Sequence, residues 1–147
     1  MNRNMMGTYY HNVDSKGRLI VPAKLRDLLG SEFVVTKGQD TNLYLFSYNE
    51  WDGFADKLNA LPNNKENRMV KRYFMGNASP VEVDSQGRIV IPAKLRQDAQ
   101  IEKEVVIVGA GNKAEIWSEK LWNIAEEEPD YSQDAVNDRI DALGISI

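Results

Sequence analysis

Arg18 and Arg88 each stand directly after a glycine and four residues after an aspartate, in Asp14-Ser15-Lys16-Gly17-Arg18 and Asp84-Ser85-Gln86-Gly87-Arg88. A planar guanidinium can bridge two phosphate oxygens, or the O6 and N7 atoms of guanine, in bidentate fashion. Each arginine is followed by a lysine and a second arginine, Lys24 and Arg26 in one place, Lys94 and Arg96 in the other. With Lys16 they form two compact groups of long donors, the kind of surface a nucleic acid meets. The same spacing also suits a plain ion pair inside the turn, of small worth at a surface. Catalysis has no comparable set. His11 is the only histidine, there is no cysteine, and no spacing of His, Asp and Glu suits a metal. Gly109-Ala110-Gly111 lacks the rest of a dinucleotide fingerprint and reads as a hairpin turn. No enzyme activity and no cofactor are expected.

The chemistry recurs because the segment recurs. Residues 13–26 and 83–96 agree at ten of 14 positions, and three of the others exchange Leu, Ile and Val. A weaker likeness continues through Val34-Val35 and Val105-Val106, Gly38 and Gly109, Leu45-Phe46-Ser47 and Ile116-Trp117-Ser118, and Trp51 and Trp122. A chain of 147 residues is therefore read as two related halves, 5–60 and 76–122, joined by a connecting helix at 61–75 and followed by an acidic helical segment at 123–147. Turn chemistry accounts for Asp14, Gly17, Asp84 and Gly87, and core packing for the apolar positions. Neither explains the recurrence of arginine at 18 and 88, lysine at 24 and 94, and arginine at 26 and 96. Lys16 faces Gln86 in the other copy, so two similar contacts of unequal strength are expected.

Each half must position these groups with short elements. A strand at 8–13 or 80–83 enters the Asp-to-Gly turn, whose chemistry suits a three-residue hairpin loop closed by glycine. A buried strand follows at 19–21 or 89–91. Pro22 and Pro92 suit a first helical residue. A helix then runs over Ala23–Leu29 and stops at Gly30. Strands at 33–37 with 43–47, and at 104–108 with 113–117, precede helices capped by Ser47 and Ser118. The expected class is α+β, as two tandem pseudo-symmetric half-domains of short strands and helices sharing one core. Lys65, Arg68, Lys71 and Arg72 recur at helical spacing, either as a phosphate-facing stripe or as a solvated helix face. Ser132 caps a further helix with Val136, Ile140 and Leu143 on one side, suited to docking on the body or on a neighbouring subunit.

Bulk composition hides the basic islands. Net charge is −4, yet 13–26 sums to +3 and 83–96 to +2, while 119–147 carries −6. Local potential is what a phosphate meets. Hydrophobic content of 42% with 27% charged residues is that of a globular protein. The longest apolar run, 105–108, is far too short to span a membrane. The first six residues lack the apolar stretch of a signal peptide, and the absence of cysteine fits a reducing cytoplasm.

Asp-Ser-Lys-Gly-Arg followed by Pro-Ala-Lys-Leu-Arg, and the second Asp-Ser-Gln-Gly-Arg, resemble the MraZ family, built from two SpoVT-AbrB-type motifs. The likeness extends over essentially the whole chain, through Met6-Gly7, Leu58-Asn59-Ala60-Leu61-Pro62 and Ile116-Trp117. The resemblance implies a DNA-binding, nucleoid-associated transcriptional regulator acting on the bacterial division and cell-wall gene cluster. It also implies a ring-shaped homo-oligomer that recognises short direct repeats in double-stranded promoter DNA. The family's Asp-x-x-x-Arg motif falls on Asp14–Arg18 and Asp84–Arg88. Two other readings compete: an antitoxin-like protein that binds a toxin and DNA, and a structural assembly whose basic islands join subunits.

Overall fold

The computed structural model describes residues 3–147. The leader-free N-terminus expected from the sequence begins on Met1 and Asn2, which lie outside them. In chain order the elements are β1 (Thr8–Asn12), β2 (Arg18–Ile20), α1 (Ala23–Leu29), β3 (Glu32–Lys37), β4 (Leu43–Ser47), α2 (Tyr48–Asn59) and α3 (Lys65–Met75). There follow β5 (Ser79–Glu82), β6 (Arg88–Val90), α4 (Ala93–Asp98), β7 (Glu104–Gly109), β8 (Ala114–Ser118), α5 (Glu119–Glu127), a 3-10 turn (Pro129–Tyr131) and α6 (Gln133–Leu143). The class is α+β, with the same plan drawn twice.

Neither half is complete without the other. Six strands form one antiparallel sheet in the order β1-β7-β8-β4-β3-β5, and β2 pairs with β6 in a separate ribbon. The first strand of each half is thus exchanged. Thr8 to Asn12 run against Val108 to Glu104, and Ser79 to Glu82 run against Val35 to Glu32. The halves also meet at the sheet centre, where Leu43, Tyr44 and Leu45 pair with Ile116, Glu115 and Ala114.

This corrects the hairpin expected from 8–13 to 19–21. The turn closes as its chemistry dictates, with Gly17 N–H donating to Asp14 O at 3.0 Å and Asp14 N–H to Arg18 O at 3.0 Å. Beyond that rung the two strands part. Pairing β1 with β2 would give a ladder limited by the three residues of β2, whereas exchange gives β1 five paired positions on β7. Exchange also covers an apolar sheet edge that would otherwise face solvent.

Alternation along the strands sorts the side chains. Leu19, Val21, Phe33, Val35, Leu43 and Leu45 from the first half interleave with Ile89, Ile91, Val105, Ile107 and Ile116 from the second, sealed by Leu25, Leu29 and Leu95 of the short helices. On the opposite face of the sheet, Phe46 stacks on Phe54 of α2, and Phe54 meets Phe74 of α3 edge-on. Val106, Trp117 and Trp122 fill the matching place under α5. Thr36, fully buried in β3, donates to the carbonyl of Phe74 and ties α3 to that face.

The local signals act as the sequence indicates, with one shift of register. Ser47, Ser118 and Ser132 cap α2, α5 and α6 by accepting a backbone N–H. Pro22 and Pro92 stand one place earlier than expected, just before α1 and α4, because their carbonyls accept the first-turn bonds from Arg26 and Arg96. Gly30 leaves α1 with φ +90°, but its counterpart Gln100 takes φ +57° with a side chain attached. Replacing Gln100 with glycine is expected to stabilise the protein by about 1 kcal/mol. Leu19→Ala, at a fully buried site, is expected to cost about 2–5 kcal/mol. Urea unfolding midpoints check both.

Candidate nucleic-acid interface

The ribbon of β2 and β6 brings the two repeated turns into one surface. Arg18 pairs with Val90, Leu19 with Ile89, and Ile20 with Arg88. Leu19 and Ile89 point into the core, which leaves Arg18, Ile20, Arg88 and Val90 on the outer face. Because the strands are antiparallel, the turn of each half lies against the helix entry of the other. Val21 N–H donates to Gly87 O at 3.0 Å, and Ile91 N–H donates to Gly17 O at 2.9 Å.

Each aspartate locks its own turn. One carboxylate oxygen of Asp14 accepts the N–H groups of Lys16 and Arg18, both at 2.9 Å. The other accepts Arg18 Nε at 2.6 Å. Asp84 repeats the arrangement with Gln86, Arg88 and Arg88 Nε. The intra-turn ion pair therefore exists in both copies, and it does not exclude a ligand. It engages Nε alone, and among the described residues the terminal nitrogens of Arg18 and Arg88 have no hydrogen-bond partner. The pair fixes where each guanidinium starts without using its bidentate edge. The backbone N–H of Arg18, opposed by partial burial and aided by its guanidinium and the N–H of Lys16, holds Asp14 below its ordinary value of 3.8. Asp84 is lowered the same way, by the N–H of Arg88 first.

Arg26 and Arg96 do something the sequence did not suggest. Each donates Nε to a carbonyl of its own half, Arg26 to Val21 at 2.9 Å and Arg96 to Ile91 at 3.1 Å. Each guanidinium then lies over the turn glycine of the other half. A Cβ on Gly87 would stand 3.0 Å from Arg26 Nη1, and one on Gly17 would stand 3.1 Å from Arg96 and 3.0 Å from the Ile91 carbonyl. Both glycines have positive φ, +78° at Gly87 and +80° at Gly17. The cationic groups are consequently mixed: Arg18 shares its end of the ribbon with Arg96, and Arg88 shares its end with Arg26. Reading each repeat by itself pairs Arg18 with Arg26, because linear sequence carries no sign of the exchange.

The remaining candidates differ between the copies. Lys16 and Gln86 are exposed at the two turn tips. Lys24 is exposed on α1 without a hydrogen-bond partner among the described residues. Lys94 on α4 is held by Asp98 and Asn77, both at 3.0 Å, because Asp98 stands where α1 has Leu28. Lys65, Arg68, Lys71 and Arg72 are exposed on α3, on the opposite face of the sheet from the ribbon. They do not join the arginine surface. Among the described residues no three His, Asp or Glu side chains gather as a metal site would, and no helix is long and apolar enough to cross a membrane.

Ile20 and Val90 were missed as surface features. In sequence they belong to apolar runs, 19–21 and 89–91, that read as wholly buried. Strict alternation around Leu19 and Ile89 was the signal available to separate them.

A depressed native pKa means that the contribution of Asp14 and Asp84 is complete above the ordinary carboxylate range and is lost as pH falls through the native value. Between pH 5 and pH 3 the double variant Asp14→Asn/Asp84→Asn, which keeps an accepting oxygen but no charge, is expected to lose less stability than the parent in urea titrations. Gly17→Ala and Gly87→Ala are each expected to cost about 1–3 kcal/mol, through strained backbone and displaced arginine. Their unfolding midpoints at neutral pH test this.

The family model described as "MraZ protein, putative antitoxin-like" matches residues 5–73 and again 74–142. Curated relatives named "Transcriptional regulator MraZ" are similar over nearly their full length. The protein of Lachnoclostridium phytofermentans is 47% identical over 96% of this chain and 98% of its own. That of Caldanaerobacter subterraneus subsp. tengcongensis is 43% identical over 96% and 99%, and that of Alkaliphilus oremlandii 45% over 95% and 99%. Two tandem matches on the two repeated halves, with relatives at this identity over the whole chain, make the protein a member of the MraZ family.

Proposed function

We propose that this chain is a sequence-specific DNA-binding transcriptional regulator, acting in the cytoplasm on the nucleoid. The observation that carries this reading is the joining of two Asp-locked, arginine-bearing turns at the ends of one exposed two-stranded ribbon. An antiparallel ribbon of this width fits the major groove of B-DNA. The names of the relatives support the same reading. The functional unit comprises the halves 5–60 and 76–122, the connecting helix 61–75, and the appended helical segment 123–147. Arg18 and Arg88 are the principal DNA contacts. Lys16, Lys24 and Lys94 add phosphate contacts, and Arg26 and Arg96 brace the turns as well as adding charge.

A handful of cations per unit binds weakly and in a salt-dependent manner. Several units in a ring-shaped homo-oligomer, engaging short direct repeats together, raise the effective concentration of each. The target is the promoter of the division and cell-wall gene cluster. The antitoxin reading receives less support, since 119–143 is almost wholly helical and offers no extended toxin-binding tail.

The test is a gel shift on the DNA upstream of the chain's own gene, across a salt series, with Arg18→Ala and Arg88→Ala made separately. Each is expected to weaken binding by about 1–3 kcal/mol, with the larger loss for Arg18, whose turn also carries Lys16. Binding that is unchanged in both variants overturns the site assignment. Light scattering on the free protein tests the ring, and equally tight binding to a promoter trimmed to one repeat overturns its engagement of several repeats.

A further inference from the structure

Two outward side chains, one at each end of the ribbon, have no task in folding. Ile20 is 47% exposed and Val90 55%, although the inward residues between them and the arginines already complete the core. On a solvated strand face, apolar side chains gain nothing from folding. Here both copies place a β-branched apolar residue at the same outward position.

We propose that Ile20 and Val90 are base-reading residues that pack against the 5-methyl groups of thymine in the major groove. The proposal rests on the DNA-binding reading above and adds the part of the base pair that is read. Arg18 and Arg88 address guanine edges or phosphates beside them, while the two apolar side chains seek the one apolar group the major groove offers. The register suits this division. Ile20 stands opposite Arg88 and Val90 opposite Arg18, so each apolar group has an arginine directly across the ribbon. Along one strand, Arg18 and Ile20 are two residues apart, about 6.7 Å. Two base-pair steps rise by about the same distance.

Charge favours DNA over an apolar protein as the occupant. Arg18, Arg88 and Lys16 rim the patch, and the acids beside it, Asp14 and Asp84, are already bonded to their own turns. The face therefore sets one small apolar group beside an arginine donor at each end, which suits a polyanion carrying methyl groups and not an extended apolar surface.

Deoxyuridine in place of thymidine removes only the methyl group and leaves pairing intact. The experiment measures binding of the full chain to its upstream duplex, with thymidines replaced position by position in every repeat. The parent is expected to lose about fourfold in affinity at one or more positions, the value of one buried methyl group. Ile20→Ser or Val90→Ser, either of which leaves no methyl group on the side chain, is expected to abolish the loss at the matching position, with little change in the urea midpoint of the free protein because both sites are exposed. Indifference to every replacement overturns the proposal, as does a methyl effect that persists in both variants. If the duplex is bound in a manner sensitive to Arg18→Ala but not to methyl removal, this inference fails and the DNA-binding reading stands. If no duplex is bound at all, both fail.

Discussion

The antiparallel pairing of β2 with β6 is the constraint on which the rest depends. Three residues from each half form it, and two further backbone bonds, Val21 to Gly87 and Ile91 to Gly17, extend it into the turns. Once those strands are joined across the halves, β1 and β5 can no longer return to their own strands and must pair with β7 and β3. The single core, the burial of Leu19 and Ile89, and the approach of each arginine to the opposite turn all follow. Cooperative stability is the expected consequence, because neither half has a complete sheet to fall back on.

The same pairing explains why the turns are so exacting. Gly17 and Gly87 need positive φ for the turn itself, and they need the absence of a side chain because a guanidinium from the other half lies over them. Asp14 and Asp84 satisfy backbone donors and orient an arginine with the same carboxylate. Structure and chemistry are therefore coupled at these positions. The residues that shape the turn also decide where the charge stands, so the candidate contacts are presented on rigid supports, which keeps the entropy lost on binding small.

Much of this was legible in the residues. The duplicated 14-residue unit located both turns, the Asp-to-Gly spacing gave their closure, and serine before a periodic run marked three helix starts. What escaped was everything that depends on partner choice. A turn sequence such as 14–17 specifies local bonds and says nothing about which strand lies beside β2, since the exchanged and unexchanged pairings satisfy the same alternation. The roles of Arg26 and Arg96 were hidden for that reason, as was the grouping of Arg18 with Arg96. Ile20 and Val90 were hidden by composition, because a three-residue apolar run conceals which of its members faces out. The tether on Lys94 was visible only as an aspartate at 98, without the fold that brings Asn77 to it.

Lys16 stands opposite Gln86 across the pseudo-twofold, and Lys24, without a partner among the described residues, stands opposite a tethered Lys94. Two identical chains joined as a dimer could never show such differences, since any change in one would appear in the other. Carrying both halves on one chain gives the ribbon a front and a back. An object with a true dyad has no heading along a linear polymer, whereas this one does: turning it end for end puts Gln86 where Lys16 stood.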